Sequence, residues 1–129
     1  MFKDTGAFSS YSVDDVEAAK RFYGQTLGLE ISDVPDMQGL LDLRLPGGSR
    51  VLLYPKSDHI PATFTVLNLP VEDIDTAVDE LTSRGVRFET YDEGPITTDE
   101  RGILRGPGPN IAWFKDPAGN IISILEDAG

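Results

Sequence analysis

The chain has 129 residues, of which 40% are hydrophobic and 26% charged, values typical of one globular domain or of two small fused halves. Its formal net charge of -11 repels nucleic acid and anionic membrane surfaces and would attract a cationic ligand. Cysteine is absent, which excludes disulfides, thiolate metal ligands and cysteine nucleophiles. With no apolar targeting segment behind Met1 and no long apolar run, we expect a soluble, cytoplasmic protein that binds neither nucleic acid nor membranes.

The first half of the sequence predicts a strand at 6–12 and then a helix capped by Asp14 or Asp15. Glu17 completes a start that resembles a capping box, and Gly28 supplies a left-handed stop. The apolar side of this helix consists of Val16, Ala19, Phe22, Tyr23 and Leu27. Three extended runs follow, separated by proline and glycine turns, at 29–34, 39–45 and 49–54. The predicted unit is βαβββ.

The same order recurs in the second half, with a strand at 63–69 and a helix that is capped near Asp73 and ends at Gly85. Three more strands are predicted at 86–91, 111–115 and 121–125. Residues 13–19 also match residues 71–77 in position and type, which indicates a duplicated module. We therefore divide the chain into modules 1–57 and 58–129, which together form one domain. The insertion at 92–110 has no sustained period and is interpreted either as a lid over a ligand or as a mobile connection.

The duplicated βαβββ pattern, the Phe22-Tyr23 pair before Leu27-Gly28-Leu29, and the Asp116-Pro117-Ala118-Gly119-Asn120 turn resemble the vicinal-oxygen-chelate superfamily. This superfamily includes glyoxalases, bleomycin-resistance proteins and extradiol dioxygenases. The resemblance covers nearly the whole chain. It implies an α+β fold of tandem modules whose mixed sheets curl round a central cleft with the helices outside, often in homodimers.

Metal-dependent members of this superfamily hold a divalent ion with histidine and glutamate or glutamine side chains from the strands. The resemblance places these ligands five residues before Val13 and Val71, and four residues after the turn glycines Gly48 and Gly119. In this sequence the four positions hold Phe8, Val66, Leu52 and Ser123. Only the serine offers a donor, and a serine hydroxyl alone is a poor ligand for a hard divalent ion. We therefore expect neither a metal site nor another cofactor.

Alternation along the strands extends the set of residues that would line the cleft, because residues i and i+2 share one sheet face. Either Trp113 or Phe114 must face the cleft as well, and alternation alone leaves this choice open. The predicted ligand-binding residues are Phe8, Ser10, Leu52, Tyr54, Val66, Asn68, Trp113 and Ser123. This wall is mostly apolar with a few hydroxyl and amide groups, which suits an organic ligand.

Two functions follow as alternatives. The first is a metal-free protein, similar to bleomycin-resistance proteins, that binds or sequesters a small organic molecule of cationic or aromatic character. The second is an enzyme of the lyase, isomerase or dioxygenase type, with relocated metal ligands or with Tyr11, Tyr54 or His59 as acid or base. His59, the only histidine, lies between the modules and is otherwise interpreted as an exposed linker residue. A structural or regulatory dimer without a small-molecule ligand stays a third possibility.

Overall fold

The computed structural model describes residues 1–126, and the chain divides into two compact units, Met1–Ile60 and Pro61–Gly129. Each unit is an α+β structure with one four-stranded mixed sheet, which confirms the predicted fold class. Within residues 1–126, no helix has the length and apolar character that a membrane crossing requires.

The first unit contains strand β1, helix α1 and strands β2 to β4, in the predicted βαβββ order. Their bounds are Ser9–Val13 for β1, Val16–Arg21 for α1, Glu30–Asp33 for β2, Leu41–Arg44 for β3 and Arg50–Pro55 for β4. The strands are ordered β1-β4-β3-β2, with β1 and β4 parallel and the other neighbours antiparallel. A π-helical turn, Phe22–Thr26, extends α1.

The start of α1 settles which aspartate caps the helix. Asp15 has an extended backbone, and its carboxylate accepts a hydrogen bond from the Ala18 N–H at 3.0 Å. The cap is therefore Asp15, and Glu17 falls at the second helical position instead of the third. The capping box predicted from Asp14 and Glu17 is wrong, because that motif requires its acidic residue three positions after the cap.

The second unit repeats the arrangement with strand β5 (Thr65–Val71) and helix α2 (Ile74–Ser83), which Asp73 caps as predicted. The remaining strands are Asp92–Glu93 for β6, Ile96–Thr97 for β7, Ile103–Leu104 for β8, Ile111–Lys115 for β9 and Ile121–Glu126 for β10. The sheet is ordered β5-β10-β9-β8, with β5 and β10 parallel. The topology of the first sheet therefore recurs, whereas β6 and β7 form a separate hairpin.

The prediction of a strand at 86–91 is wrong. This segment makes a single bridge, Phe88 to Phe114, and the Glu89 N–H donates to the Trp113 carbonyl at 2.8 Å. The outer edge of β9 is short and already pairs with β8 through residues 111 and 112. The fourth strand of the sheet therefore comes from within the insertion that the sequence leaves without structure.

Each sheet buries one face against its own helix. In the first unit, Val51 and Leu53 alternate with half-buried neighbours, and Leu53 is fully buried. In the second, Ile122 and Phe114 are register partners and are both fully buried. Burying one side chain of this size contributes about 1.5–3 kcal/mol, so this face of each sheet supplies the core of its unit. The other face of each sheet is called its open face below.

The insertion is fastened to α2 by charged side chains. The Arg101 guanidinium donates to the carboxylates of Asp75 and Asp79, each at 2.5 Å. The Arg105 guanidinium donates to Asp75 at 2.6 Å and to Asp99 at 3.3 Å. These contacts lower the pKa of Asp75, chiefly through the hydrogen bond from Arg105. The segment around β8 is thus part of the second unit and not a free connection.

Candidate ligand-binding site

The open face of the first sheet carries three of the predicted residues. Ser10 and Leu52 are register partners on β1 and β4, and Tyr54 follows on the same face of β4. Phe8 directly precedes β1, and 52% of its surface is exposed. In the same row of the sheet as Ser10 and Leu52 lies Asp42 of β3, a buried carboxylate that the sequence analysis did not single out.

The open face of the second sheet carries a row of three predicted residues, Asn68, Ser123 and Trp113, which are register partners on neighbouring strands. The Ser123 hydroxyl donates to the Asn68 side-chain oxygen at 2.5 Å, and Ser123 is 1% exposed. Val66 lies where the register of β5 and β10 shifts by one residue and has no partner in β10. Alternation along β5 therefore does not settle which face Val66 occupies.

The structure also settles the choice between Trp113 and Phe114. Phe114 is fully buried in the core beside Phe88, and the two rings make an edge-on contact at 5.6 Å. Trp113 lies on the open face and is half-buried. Its indole ring meets the ring of Tyr91 edge-on, with 5.6 Å between the centroids and an angle of 84°.

Tyr91 is a residue of this surface that the sequence analysis missed. The Tyr91 N–H donates to the Thr98 hydroxyl at 2.8 Å, and the Thr98 N–H donates to the Tyr91 carbonyl at 2.8 Å. Burial raises the pKa of the Tyr91 hydroxyl, and the carboxylate of Glu89 acts in the same direction. The only signal in the sequence was an aromatic residue at the end of a predicted strand, which does not reveal a partner on β9.

The four positions assigned to metal ligands do not fit a divalent ion. Phe8, Leu52 and Val66 have no donor atom, and the Ser123 hydroxyl is already bonded to Asn68. Divalent ions in proteins are held by several carboxylate, imidazole or carbonyl donors. Among residues 1–126, no group of three or more histidine, aspartate or glutamate side chains is arranged to hold a metal. Glu126 is bonded to the Ile74 N–H at the start of α2, on the helix side of its sheet.

The three candidate acid or base residues differ in their surroundings. The Tyr11 hydroxyl donates to the hydroxyl of the fully buried Tyr23 at 2.8 Å, which places it on the helix side of the first sheet. Tyr54 lies on the open face as the register partner of Ser12. His59 is half-buried, and its Nδ1 lies 2.7 Å from the Ser12 hydroxyl oxygen. His59 is thus joined to the edge of the open face and is not an exposed linker residue.

Comparison with known proteins identifies the family. Residues 8–124 match the model of the Glyoxalase/Bleomycin resistance protein/Dioxygenase superfamily, so the chain belongs to that superfamily. No curated protein matches the chain.

Solved structures of related proteins share the fold over nearly their whole length. A member of the same superfamily from Sphaerobacter thermophilus is 28% identical, with a TM-score of 0.69 over 95% of this chain and 98% of that one. An antibiotic binding protein from Streptomyces sp. is 25% identical, with a TM-score of 0.67 over 97% of this chain and 98% of that one. A glyoxalase/bleomycin resistance protein from Streptomyces sp. is 26% identical, with a TM-score of 0.61 over 92% of this chain and 99% of that one.

Proposed function

We propose that the open faces of this chain's sheets bind small organic molecules, without a metal ion at the superfamily's four ligand positions. The observation that carries the proposal is the row formed by Trp113, Ser123 and Asn68, with Tyr91 edge-on to the indole. An aromatic surface beside a hydroxyl and an amide is the usual composition of a site for an organic ligand. The similarity to an antibiotic binding protein supports the same class of function.

The ligand that this surface favours has an aromatic or cationic group. An indole face attracts a cation through its ring quadrupole, and its edges and faces stack with other rings. Lys115, on the same face of β9 as Trp113, pairs with Glu89 at 3.3 Å, so its charge is compensated. The net charge of -11 adds long-range attraction for a cation.

Trp113 is the only tryptophan of the chain, so intrinsic fluorescence reports directly on this surface. We would titrate the protein with a panel of neutral and cationic aromatic compounds and expect saturable changes in Trp113 emission together with a higher melting temperature. A panel that changes neither quantity would contradict the proposal.

A matched pair of variants tests whether the ligand binds at the open face of the second sheet and not through its core. Tyr91→Leu and Phe88→Leu each remove one ring that makes an edge-on contact with an aromatic residue of β9, but on opposite faces of the sheet. An aromatic pair contributes about 0.5–1.5 kcal/mol, so if Tyr91 also contacts an aromatic group of the ligand, Tyr91→Leu should weaken binding about two- to tenfold. Phe88→Leu should lower stability and leave the affinity unchanged. Equal losses of affinity in both variants would argue against a site at Trp113.

Elemental analysis tests the metal-free part of the proposal. We expect no stoichiometric nickel, zinc, iron or manganese to remain after dialysis, and ligand binding should be unaffected by a chelator. Stoichiometric metal that is lost together with ligand binding would contradict this part. The superfamily resemblance also leads us to expect a homodimer, which sedimentation velocity would detect.

The contact between Ser12 and His59 favours a second candidate, a metal-independent enzyme. A hydroxyl 2.7 Å from an imidazole nitrogen is within reach for proton transfer, and Ser12 lies on the open face. Turnover of an organic compound that is abolished in both Ser12→Ala and His59→Gln, while its binding is unchanged, would establish this candidate. Turnover that survives both substitutions would exclude these two residues as the catalytic pair.

A further inference from the structure

The open face of the first sheet carries two arginines directly opposite each other. Arg44 of β3 and Arg50 of β4 are register partners, and like charges in such cross-strand pairs repel. The carboxylate of Asp42 lies between them, accepting from the Arg44 Nε at 3.0 Å and from the Arg50 Nε at 3.2 Å. One negative charge therefore holds two positive charges in place.

The geometry of these contacts leaves the outer ends of both guanidinium groups available. Arginine carries five N–H donors, and each of these side chains engages Asp42 only through Nε. Among residues 1–126, neither Arg44 nor Arg50 has a hydrogen bond from its Nη1 or Nη2 atoms. The arginine side chains are 54% and 39% exposed, whereas that of Asp42 is 12% exposed. The carboxylate is thus the buried base of the cluster, and the Nη donors are its accessible part.

Phe8 extends this cluster with an apolar surface. The Arg50 guanidinium lies over the Phe8 ring at 5.0 Å from its centroid, a cation–π contact that restrains the arginine side chain. On the other side, Glu30 of β2 is the register partner of Arg44 but forms no ion pair with it. The row across the sheet thus contains an exposed ring, two guanidinium groups and a flanking carboxylate.

We propose that Arg44 and Arg50 bind the carboxylate group of an organic ligand through their Nη donors, with Phe8 against the apolar body of that ligand. Planar guanidinium forks match the geometry of a carboxylate, and Asp42 orients both groups before the ligand arrives. The inference rests on the proposed binding of an organic molecule and adds an anion-recognising subsite in the first unit. It differs from the expectation of a cationic ligand, which came from the net charge and from the tryptophan.

Benzoate and benzamide are suitable probes because they have nearly the same shape and differ in charge. We would titrate each into ¹⁵N-labelled protein and follow the amide resonances of β3 and β4. Benzoate should bind at least about tenfold more tightly than benzamide, because hydrogen bonds to a charged group are stronger than those to a neutral one. Equal affinities, or the absence of benzoate binding, would overturn the proposal.

Two substitutions at Arg50 distinguish the contribution of the guanidinium geometry to benzoate binding from the contribution of positive charge alone. Arg50→Gln should weaken benzoate binding at least about fivefold, and Arg50→Lys, which keeps the charge but loses the fork, should weaken it by a similar factor. The matched control is Arg87→Gln, which removes one positive charge from an exposed arginine of the second unit. Arg87→Gln should leave the affinity unchanged. Full retention of binding in Arg50→Lys, or an equal loss in Arg87→Gln, would reduce the effect to general electrostatics and overturn the subsite.

Circular dichroism melting would show that each variant is folded, and Gln and Lys at position 50 can still donate to Asp42. The outcome is also distinguishable from failure of the proposed function. If neutral aromatic compounds still change Trp113 fluorescence while benzoate has no advantage over benzamide, only the anion subsite is wrong.

Discussion

Replacing Asp42 with asparagine should destabilise the first unit far more than the same replacement at an exposed aspartate. The carboxylate accepts from two arginine Nε groups, at 3.0 and 3.2 Å, and its side chain is 12% exposed. An asparagine has one acceptor oxygen, so it can keep one of these bonds while its NH₂ group faces the other Nε–H donor. One hydrogen bond to a charged group is therefore lost, and the negative charge that offsets the repulsion between Arg44 and Arg50 is removed.

The size of this effect follows from the two terms. A hydrogen bond to a charged group contributes about 1.5–3 kcal/mol, and the exposure of the arginines argues for the lower end. Uncompensated repulsion across the strand pair adds about 0.2–1 kcal/mol. We therefore expect a loss of about 2 kcal/mol in the free energy of unfolding, or about 6–10 °C in melting temperature.

Urea and thermal unfolding followed by far-ultraviolet circular dichroism would measure this loss. Tryptophan fluorescence is less suitable because Trp113 belongs to the second unit. The control is Asp33→Asn, because the Asp33 side chain is 69% exposed and its one ion pair among residues 1–126 is with Lys20. Little or no change is therefore expected. Similar small losses in both variants would refute the view that Asp42 organises the two arginines. In the double variant with Arg50→Gln, the loss should be smaller than the sum of the single losses.

Three further predictions concern the second unit. Gly102→Ala should lower the free energy of unfolding by about 1–3 kcal/mol, because φ is +85° and the new Cβ would lie 2.7 Å from the Glu89 carbonyl oxygen. The control, Gly106→Ala, places its Cβ in open space and should leave stability unchanged, and chemical denaturation would compare the two variants. In the same assay, Asp116→Ala should lower the free energy of unfolding by about 2–3 kcal/mol, because the buried carboxylate accepts hydrogen bonds from two backbone N–H groups of its turn. Asp116→Asn should lower it by less. Tyr91 should ionise above the usual tyrosine pKa of about 10, as its tyrosinate absorbance would show, and ionisation at the ordinary value would contradict its burial. Because this folded-state pKa is raised, the stability that Tyr91 contributes is complete below the unfolded-state pKa and is lost as pH rises through the folded-state pKa.

Local chemistry made several elements of this fold predictable. Strand β9 has the predicted bounds, Asp73 caps α2, and Gly28 and Gly85 follow their helices with φ angles of +73° and +94°. These features depend on residues that are near neighbours in the chain, such as a carboxylate and the N–H groups two or three residues after it. The superfamily was recognisable for the same reason, because its motifs are short contiguous stretches at helix ends and turns.

The outer strand of the second sheet was not predictable. Ile103 and Leu104 form β8 because the edge of β9 is free to pair at residues 111 and 112, and the charged contacts to α2 hold the segment there. No periodic pattern marks a strand of two residues. The segment 86–91 has strand-forming residues but only a single bridge to β9, since an edge of five residues cannot pair fully with both segments.

The sequence by itself determined the βαβββ order of the first unit, the cap of α2, the superfamily, and the presence of a single side-chain donor, Ser123, at the four ligand positions. Each of these is carried by residue type and local spacing. Only the tertiary structure decided that Trp113 and not Phe114 lies on the open face, that Tyr91 stands beside it, and that Asp42 joins Arg44 to Arg50. Alternation assigns residues to two faces but does not say which face the helix covers. That choice depends on which face loses more apolar surface to water when the helix packs, and this is a property of residues far apart in the chain.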